Sequence, residues 1–300
     1  MSVHVHGILL LDKPLGLTSA AAVAKLKRLF DARKTGHTGS LDPLATGFLA
    51  ICFGEATKFG AHLLDADKTY EVTARLGERT PSADLETEVC ERRALPSLST
   101  ETVRAALTDF PPTYDQMPPM HSALKQGGKP LYSYARAGIT LDRVPRRVAI
   151  YGMKLLDWQS PILHFEVHCS KGTYIRVLAE DIAARLGTIG HLTGLRRLSV
   201  APFQNRSMVS LAALELMDHS LRQTHLLAVD EALQATPRLD LSAEQAAEVR
   251  LGRNIDVHAD CLPSVRIYGP DAQFIGLGEV QSAGRLVPRR LISASAVNRA

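Results

Sequence analysis

The stretch from Gly36 to Gly47 constrains the fold of this chain more than any other part of its sequence. It places three glycines, a histidine and an Asp-Pro pair directly before the apolar run Phe48–Phe53. A run this short and this apolar is typical of a buried strand, and the glycines before it permit backbone conformations that side chains forbid. Because Pro43 disfavours helical geometry at the preceding residue, Asp42 is expected in extended backbone on a rigid loop.

This loop allows two interpretations from its residues alone. A carboxylate preorganised on a loop is a common way to build a functional site. An Asp before Pro also often caps the start of a helix, and the two roles are equally compatible with Asp42. His37 is similarly open, because a lone histidine beside glycines is more often a hydrogen-bonded loop residue than a functional one.

Hydrophobic periodicity predicts strands and helices mixed along the first 236 residues, and therefore an α+β fold. The predicted strands are His4–Leu11, Phe48–Phe53, Thr69–Leu76, Val148–Trp158 and Ile162–Cys169. The predicted helices are one capped by Thr18 or Ser19, then Glu55–Leu64, Ser99–Phe110 and Tyr174–Leu186. After Pro237 short segments with several glycines indicate a small β-rich domain, so we expect a large domain over residues 1–236 and a small one over 237–300.

Charge is distributed unevenly, although the formal net charge is only +4. From His121 to Ile150 there are six Lys or Arg residues against one Asp, whereas Val209 to Arg250 carries seven acidic residues against three arginines. Clustered bases of this kind are typical of a surface that faces a polyanion. The alternative is a set of crowded, solvated loops.

The cysteines and the first apolar run exclude several classes of protein. Cys52, Cys90, Cys169 and Cys261 stand singly, without the C-x-x-C spacing of zinc or dithiol sites, so buried, reduced thiols are expected. The run Gly7–Leu11 is too short for a signal segment or a membrane span. We therefore expect a cytoplasmic protein with no membrane segment.

Seven short motifs stand in order along the chain. Besides the stretch from Gly36 to Gly47 they are Leu10-Leu11-Asp12-Lys13-Pro14, Gly54-Glu55-Ala56-Thr57-Lys58, Asp67-Lys68-Thr69-Tyr70, Ser122-Ala123-Leu124-Lys125, Cys169-Ser170-Lys171-Gly172-Thr173-Tyr174-Ile175-Arg176 and Leu195-Arg196-Arg197. In these motifs and their order the chain resembles the TruB family, the bacterial tRNA pseudouridine(55) synthases, from Ile8 to Leu291. It departs from the family's pattern at His121, where a tyrosine is usual.

The resemblance implies a pseudouridine-synthase fold with a central mixed sheet, an active-site cleft and a small C-terminal PUA-like β domain. It implies that Asp42 is the catalytic aspartate, that Tyr70 packs on the target base and is placed to shuttle a proton, and that Arg176 pairs with Asp42. A guanidinium beside a buried carboxylate is expected to keep it ionised. The residues implied to line the uridine pocket are His37, Tyr174 and Leu195, with Lys13 beside it.

The basic clusters are expected to bind the RNA backbone. A flap over about residues 120–147 would close over the T arm of tRNA. The residues predicted to contact phosphate are Lys125, Lys129, Arg143, Arg146, Arg147, Arg196 and Arg197. Phosphate contacts of this kind would make binding steeply dependent on salt.

Converting uridine to pseudouridine involves no redox step and no transfer between molecules, so the sequence predicts an enzyme without cofactor or metal. The chain has no G-x-x-x-x-G-K-[ST], G-x-G-x-x-G or H-E-x-x-H motif. We expect a monomer that acts on tRNA without an obligate protein partner. Two alternatives stay open: a guide-RNA-dependent synthase and a non-catalytic tRNA-folding protein.

Overall fold

The computed structural model describes residues 5–293. Its strands in chain order are β1 (Gly7–Lys13), β2 (Thr35–His37), β3 (Ala45–Phe53), β4 (Lys68–Leu76), β5 (Glu78–Arg79), β6 (Glu91–Arg92), β7 (Thr113–Gln116), β8 (Lys125–Gln126), β9 (Lys129–Pro130), β10 (Arg146–Gln159), β11 (Ile162–Cys169), β12 (Gly190–Val200), β13 (Val209–Ser210), β14 (Leu226–Leu227), β15 (Arg238–Asp240), β16 (Ile255–Asp256), β17 (Leu262–Tyr268), β18 (Phe274–Gln281) and β19 (Arg285–Leu291). The α-helices are α1 (Ser19–Leu29), α2 (Gly60–Leu64), α3 (Thr100–Thr108), α4 (Leu131–Arg136), α5 (Ile175–Arg185), α6 (Leu211–Leu216), α7 (His219–Gln223) and α8 (Ala243–Arg250).

A ten-stranded mixed sheet dominates the structure. Its order is β13-β1-β3-β12-β4-β11-β10-β7, with β14 also paired to β1 and β2 to β3. The pairs β1/β13 and β3/β12 are parallel, and the others are antiparallel. The predicted α+β class with a central mixed sheet is therefore confirmed.

Strand β3 is buried on both faces because its side chains alternate between two cores. Leu49, Ile51 and Phe53 join the core that includes helices α1, α3 and α5. Phe48 and Ala50 join the opposite core, which includes α2 and parts of the C-terminal domain. The short apolar run predicted as a buried strand thus lies at the centre of the molecule, and the loop before it is anchored by that burial.

The C-terminal domain has a second sheet, in the order β15-β17-β18-β19-β16. It also contains α8, which the sequence analysis missed although Ser242 and Gln245 form a capping box at its start. Phe274 packs edge-on against Phe59 with ring centroids 5.6 Å apart, and Lys58 Nζ donates to Leu291 O at 2.9 Å. Lys58 and Phe59 therefore contact the second sheet.

The predicted helix over Glu55–Leu64 is wrong in one respect. The segment is a 3-10 helix at Gly54–Lys58 followed by the separate helix α2. Phe59 lies between them with non-helical backbone and turns into the core, and Gly60, a poor helix former, follows it. The other predicted helices are present with ends shifted by a residue or two: Thr18 caps α1 and Ser99 caps α3.

For the cysteines and the first strand, the structure agrees with the expectation only in part. All four cysteines are unpaired, but only Cys52 and Cys169 are buried, whereas Cys90 and Cys261 are exposed. His4, where the first strand was predicted to start, lies outside the described residues, and β1 begins at Gly7. No helix within residues 5–293 is long and apolar enough to span a bilayer.

The segment predicted as a flap carries regular structure. Strands β8 and β9 form a hairpin through Gly127 and Gly128, whose φ angles of +58° and +80° suit a tight two-residue turn. Helix α4 follows. Arg146 and Arg147 belong to β10, where they pair with Gln116 and Asp115 of β7. This strand therefore begins slightly before the predicted start at Val148.

Candidate active site

Asp42 lies on a loop that the surrounding backbone holds from several directions. Ser19 Oγ accepts from Leu41 N at 2.8 Å and donates to Leu41 O at 3.0 Å. Gly16 N donates to Pro43 O at 2.8 Å. Pro43 and Leu44 form a turn into β3, so no helix starts there for Asp42 to cap. This favours the preorganised carboxylate over the capping interpretation.

Arg176 is the side chain that meets Asp42. Its Nε lies 3.2 Å from Asp42 Oδ2, and the Arg176 side chain is only 7% exposed. Its Nη1 lies 3.6 Å from Asp84 Oδ2 and donates to Ser82 O at 3.1 Å, while Nη2 donates to His121 O at 2.6 Å. Arg176 belongs to the first turn of α5, where the helix dipole disfavours a cation. The carboxylates and carbonyls around its guanidinium offset that unfavourable interaction.

Asp84 is a site residue that sequence reasoning missed. It is buried, and it belongs to a polar, acidic loop between β5 and β6 that carries no motif. No local pattern marks it, because its proximity to Arg176 arises only when that loop folds against α5. The acidic character of the loop was the one available signal.

Burial raises the pKa of the Asp42 carboxyl above its ordinary value. Arg176 is the next largest influence and opposes this, the charges of Asp84 and Glu86 add to the rise, and Lys13 opposes it. The guanidinium therefore opposes the rise in the pKa of Asp42 that burial causes, as expected, but does not cancel it. The side chain is nevertheless 44% exposed and opens to the cleft.

A cleft of about 280 Å³ lies over this ion pair. Of the residues that the sequence analysis assigned to catalysis or to the uridine pocket, the structure brings together Asp42, Tyr70, Arg176, Tyr174 and Leu195 as lining residues. Residues that line the cleft without having been predicted for it include Leu64, Lys68, Ser122, Ala123, Gly172, Thr173 and Ile175. The cleft has room for a small planar ring beside a carboxylate.

The two tyrosines of the cleft are held differently. Tyr70 belongs to β4 and is 7% exposed. Burial raises the pKa of its hydroxyl, and the nearby Arg197 charge opposes that rise. Tyr174 precedes α5, and its backbone is fixed by Gln116, whose Oε1 accepts from Tyr174 N at 2.7 Å and whose Nε2 donates to Tyr174 O at 3.1 Å.

Lys13 and His37 are not among the residues that line the cleft. Lys13 is fully buried, and its Nζ donates to Pro14 O and Leu17 O at 3.0 and 2.6 Å. Burial lowers the pKa of Lys13 to about 8, although the Asp42 charge opposes this. His37 belongs to β2; burial and Arg197 lower the pKa of its imidazole.

The bases predicted to bind RNA divide into three groups. Lys125, Lys129, Arg146 and Arg147 are exposed. Arg143 is half-buried and donates to Pro118 O at 2.8 Å. The third group is Arg196 and Arg197. Arg196 is half-buried and Arg197 is buried, so neither belongs to an exposed cationic surface.

Arg197 was predicted to contact phosphate, but the structure buries its side chain, which is 1% exposed. Its guanidinium donates instead to backbone carbonyls inside the protein. Arg196 is half-buried and forms a bidentate pair with Asp12 at 2.9 and 2.8 Å, which compensates much of its charge. Among residues 5–293 no cluster of three His, Cys, Asp or Glu side chains could hold a metal ion.

Solved structures share this arrangement of the whole chain. The crystal structure of a Cbf5-Nop10-Gar1 complex contains a chain with a TM-score of 0.74 at 21% identity, covering 98% of this chain and 88% of that one. The archaeal box H/ACA sRNP Nop10-Cbf5 complex gives 0.71 at 20% identity, covering 99% and 90%. At these identities the likeness shows the fold, which is the pseudouridine-synthase fold.

Family models and curated relatives define the class of the protein as a pseudouridine synthase, an isomerase. Family models match in chain order: the TruB family pseudouridylate synthase N-terminal domain at residues 27–175, the tRNA pseudouridylate synthase B C-terminal domain at 176–234 and the pseudouridine synthase II TruB C-terminal domain at 237–292. The tRNA pseudouridine synthase B of Chromohalobacter salexigens is 45% identical over 98% of this chain and 96% of its own. That of Sodalis glossinidius is 48% identical over 96% of each. The chain belongs to the TruB family.

Proposed function

We propose that this chain converts the uridine at position 55, in the T loop of tRNA, into pseudouridine, with Asp42 as the catalytic carboxylate. The observation that carries the proposal is the Asp42–Arg176 pair, a partly exposed carboxylate held at 3.2 Å by a buried guanidinium at the base of a cleft. The names of the relatives support tRNA as the substrate.

The residues of the cleft suit an extruded base. The target must leave its stack, which costs a few kcal/mol, and stacking on an aromatic ring returns about 1–3 kcal/mol per base. In this proposal Tyr70 and Tyr174 provide those contacts, Leu195 adds an apolar one, and His37 and Lys13 support the wall. Tyr70 also shuttles a proton.

Asp42 has to be ionised in this proposal. Whether the carboxylate adds to the base, adds to the sugar or removes a sugar proton, it acts as a nucleophile or a base, and the neutral acid is far weaker than the anion in both roles. The glycosidic bond between the sugar C1′ and N1 breaks, the uracil turns within the cleft, and a bond forms between C1′ and C5. C5 loses its proton and N1 gains one, so the product is an isomer of the substrate. Neither a metal nor a cofactor is required by that balance of bonds.

The wider assignments belong to the same proposal. Residues 1–236 form the catalytic domain with its flap over about 120–147, and residues 237–300 form a PUA-like RNA-binding domain. The exposed bases Lys125, Lys129, Arg146 and Arg147, with Arg143, contact the T arm. The protein acts in the cytoplasm as a monomer.

Asp42→Asn tests the central role, because it keeps the size and hydrogen bonding of the side chain and removes the charge. We expect the variant to bind an unmodified tRNA transcript like the wild type and to make no pseudouridine, measured by mapping the modified position. The matched control is Asp109→Asn, an exposed carboxylate at the end of α3, which should leave the rate unchanged.

The outcome also separates the two alternatives. Product from Asp42→Asn would contradict the assignment of the carboxylate. No product from the wild type, together with faster folding of tRNA, would favour a tRNA-folding protein. A requirement for added guide RNA would favour the guide-dependent type, and modification outside the T loop would contradict the proposed position.

A further inference from the structure

Arg197 is one of the largest fully buried side chains of the protein. Three of its hydrogen bonds go to backbone carbonyls: Nε to Phe48 O at 2.7 Å, Nη2 to Gly39 O at 3.1 Å and Nη1 to Ser40 O at 3.5 Å. Burying a cation is costly unless its donors are satisfied. The fold accepts that cost at the wall of the cleft, where Arg197 is a lining residue.

The acceptors of Arg197 lie at the two ends of the segment Gly39–Phe48, which comprises the Asp42 loop and the first residues of β3. Gly39 and Ser40 precede Asp42, whereas Phe48 follows it in β3. A guanidinium is planar and holds its donors in fixed directions, so it can bridge both ends at once, which an ammonium cannot do in the same way.

The backbones of β3 and β12 also lie close together beside Arg197. Gly47 pairs with Arg197 in the parallel β3/β12 ladder. Its φ is +92°, and a Cβ placed on it would lie 2.3 Å from Arg197 O. The glycine at the end of the motif is therefore needed for the contact between the loop and Arg197.

We propose that Arg197 is a positioning residue that clamps the loop from Gly39 to Phe48 and thereby fixes the Asp42 carboxylate against Arg176. The inference rests on the proposed function, since it gives the loop its purpose through Asp42. Ser19 holds the loop at Leu41, and Arg197 holds its two ends. A misplacement of about 1 Å at a reacting group can cost on the order of a hundredfold in rate.

Arg197→Met removes the clamp and keeps much of the length of the side chain. We expect kcat to fall about a hundredfold, while KM for tRNA and equilibrium RNA binding stay near their wild-type values. Arg197→Lys keeps the charge without the fork, and we expect it to restore little of the lost kcat.

Arg222→Met is the matched control. Arg222 also donates to two backbone carbonyls, Leu214 O at 2.8 Å and Leu29 O at 2.9 Å, but it lies outside the cleft. Rates are compared well below the unfolding temperature of each variant. The control should lose stability and keep kcat, so a loss confined to Arg197 reflects the position of the loop rather than general damage.

A crystal structure of Arg197→Met supplies a readout that does not depend on activity. We expect the loop to be displaced and the 3.2 Å contact between Asp42 Oδ2 and Arg176 Nε to be lost. If Asp42→Asn were active, the proposed function would fail, yet this structure would still decide whether Arg197 clamps the loop.

Three results would overturn the inference. One is an unchanged loop in the crystal structure of Arg197→Met. Another is a higher KM with unchanged kcat, the signature of a lost phosphate contact. The third is full recovery of kcat in Arg197→Lys, which would show that charge alone is needed at this position.

Discussion

The Asp42 carboxylate is subject to opposing influences that can be separated residue by residue. Burial and the charges of Asp84 and Glu86 raise its pKa, whereas Arg176 and Lys13 lower it, and the net direction is upward. If the ionised form is the active one, activity is lost when the pH falls through this raised pKa. The acidic limb of the rate profile should therefore lie above the ordinary carboxyl value of about 3.9.

Replacing Arg176 should move the acidic limb of the rate profile to still higher pH. Arg176→Met removes the largest influence that lowers the pKa of Asp42, so the limb of kcat/KM against pH should shift to higher pH, and the rate at neutral pH should fall. Arg176→Lys keeps a positive charge and should shift the limb less. The measurement is kcat/KM for a tRNA transcript across the acidic range.

A surface ion pair provides the control for this shift. Arg206→Met breaks an exposed pair with Glu231, 3.1 Å long, away from the cleft, and should leave the limb where it is. An acidic limb that stays fixed in both Arg176 variants would mean that a different group controls it.

At the scale of elements, strand β7 ties the sheet to the cleft. Gln116, the last residue of β7, is 2% exposed and holds both the N–H and the carbonyl of Tyr174. Its Nε2 also donates to Tyr114 Oη at 2.6 Å. The edge strand thus fixes the residue that begins α5 and carries a tyrosine into the cleft.

Gln116→Ala should therefore affect stability and activity together. It leaves the Tyr174 N–H without its partner, whereas the Tyr174 carbonyl keeps the bond from Leu178 N. An unsatisfied buried group costs about 1–3 kcal/mol. We expect a loss of that size in the free energy of unfolding, measured by urea denaturation, and a higher KM because Tyr174 is less well placed. Gln159→Ala, an exposed glutamine at the end of β10, is the control; equal effects of the two substitutions would contradict the role of Gln116.

How far the sequence predicts an element depends on whether its cause is local. The Thr18 cap and the period of apolar residues define α1, and the apolar run defines β3, so both were predictable. The break at Phe59 depends on packing against Phe274, far away in the chain. Gln116 and Asp84 reach the site only through tertiary contacts, which neither periodicity nor spacing encodes.

Motifs predict which residues matter better than they predict what each one does. The motif Leu195-Arg196-Arg197 lies in β12, where side chains alternate between the two faces of the sheet. That alternation separates a half-buried Arg196 from a fully buried Arg197, so the adjacent arginines have different environments. Treating both as one basic cluster overlooked this difference in burial, which the strand period encodes.

On the scale of the whole molecule, binding to RNA is expected to depend on the cations that remain accessible. Lys125, Lys129, Arg146 and Arg147 are exposed and Arg143 is half-buried. If about five phosphates are contacted, affinity should fall about five-hundredfold between 50 and 200 mM salt, since the logarithm of the binding constant declines by about 0.9 per phosphate for each logarithmic unit of salt.

Single substitutions assign that slope to particular residues. Lys125→Ala and Arg146→Ala should each weaken binding and lower the slope by about one, because each removes one phosphate contact. Arg197→Met should leave the slope unchanged, since a buried guanidinium releases no counterions from RNA. The measurement is the dissociation constant of tRNA at several salt concentrations for each protein. A slope equivalent to one or two ions in the wild type would contradict the assignment of this surface to RNA, and a lower slope in Arg197→Met would return that residue to the phosphate-binding set.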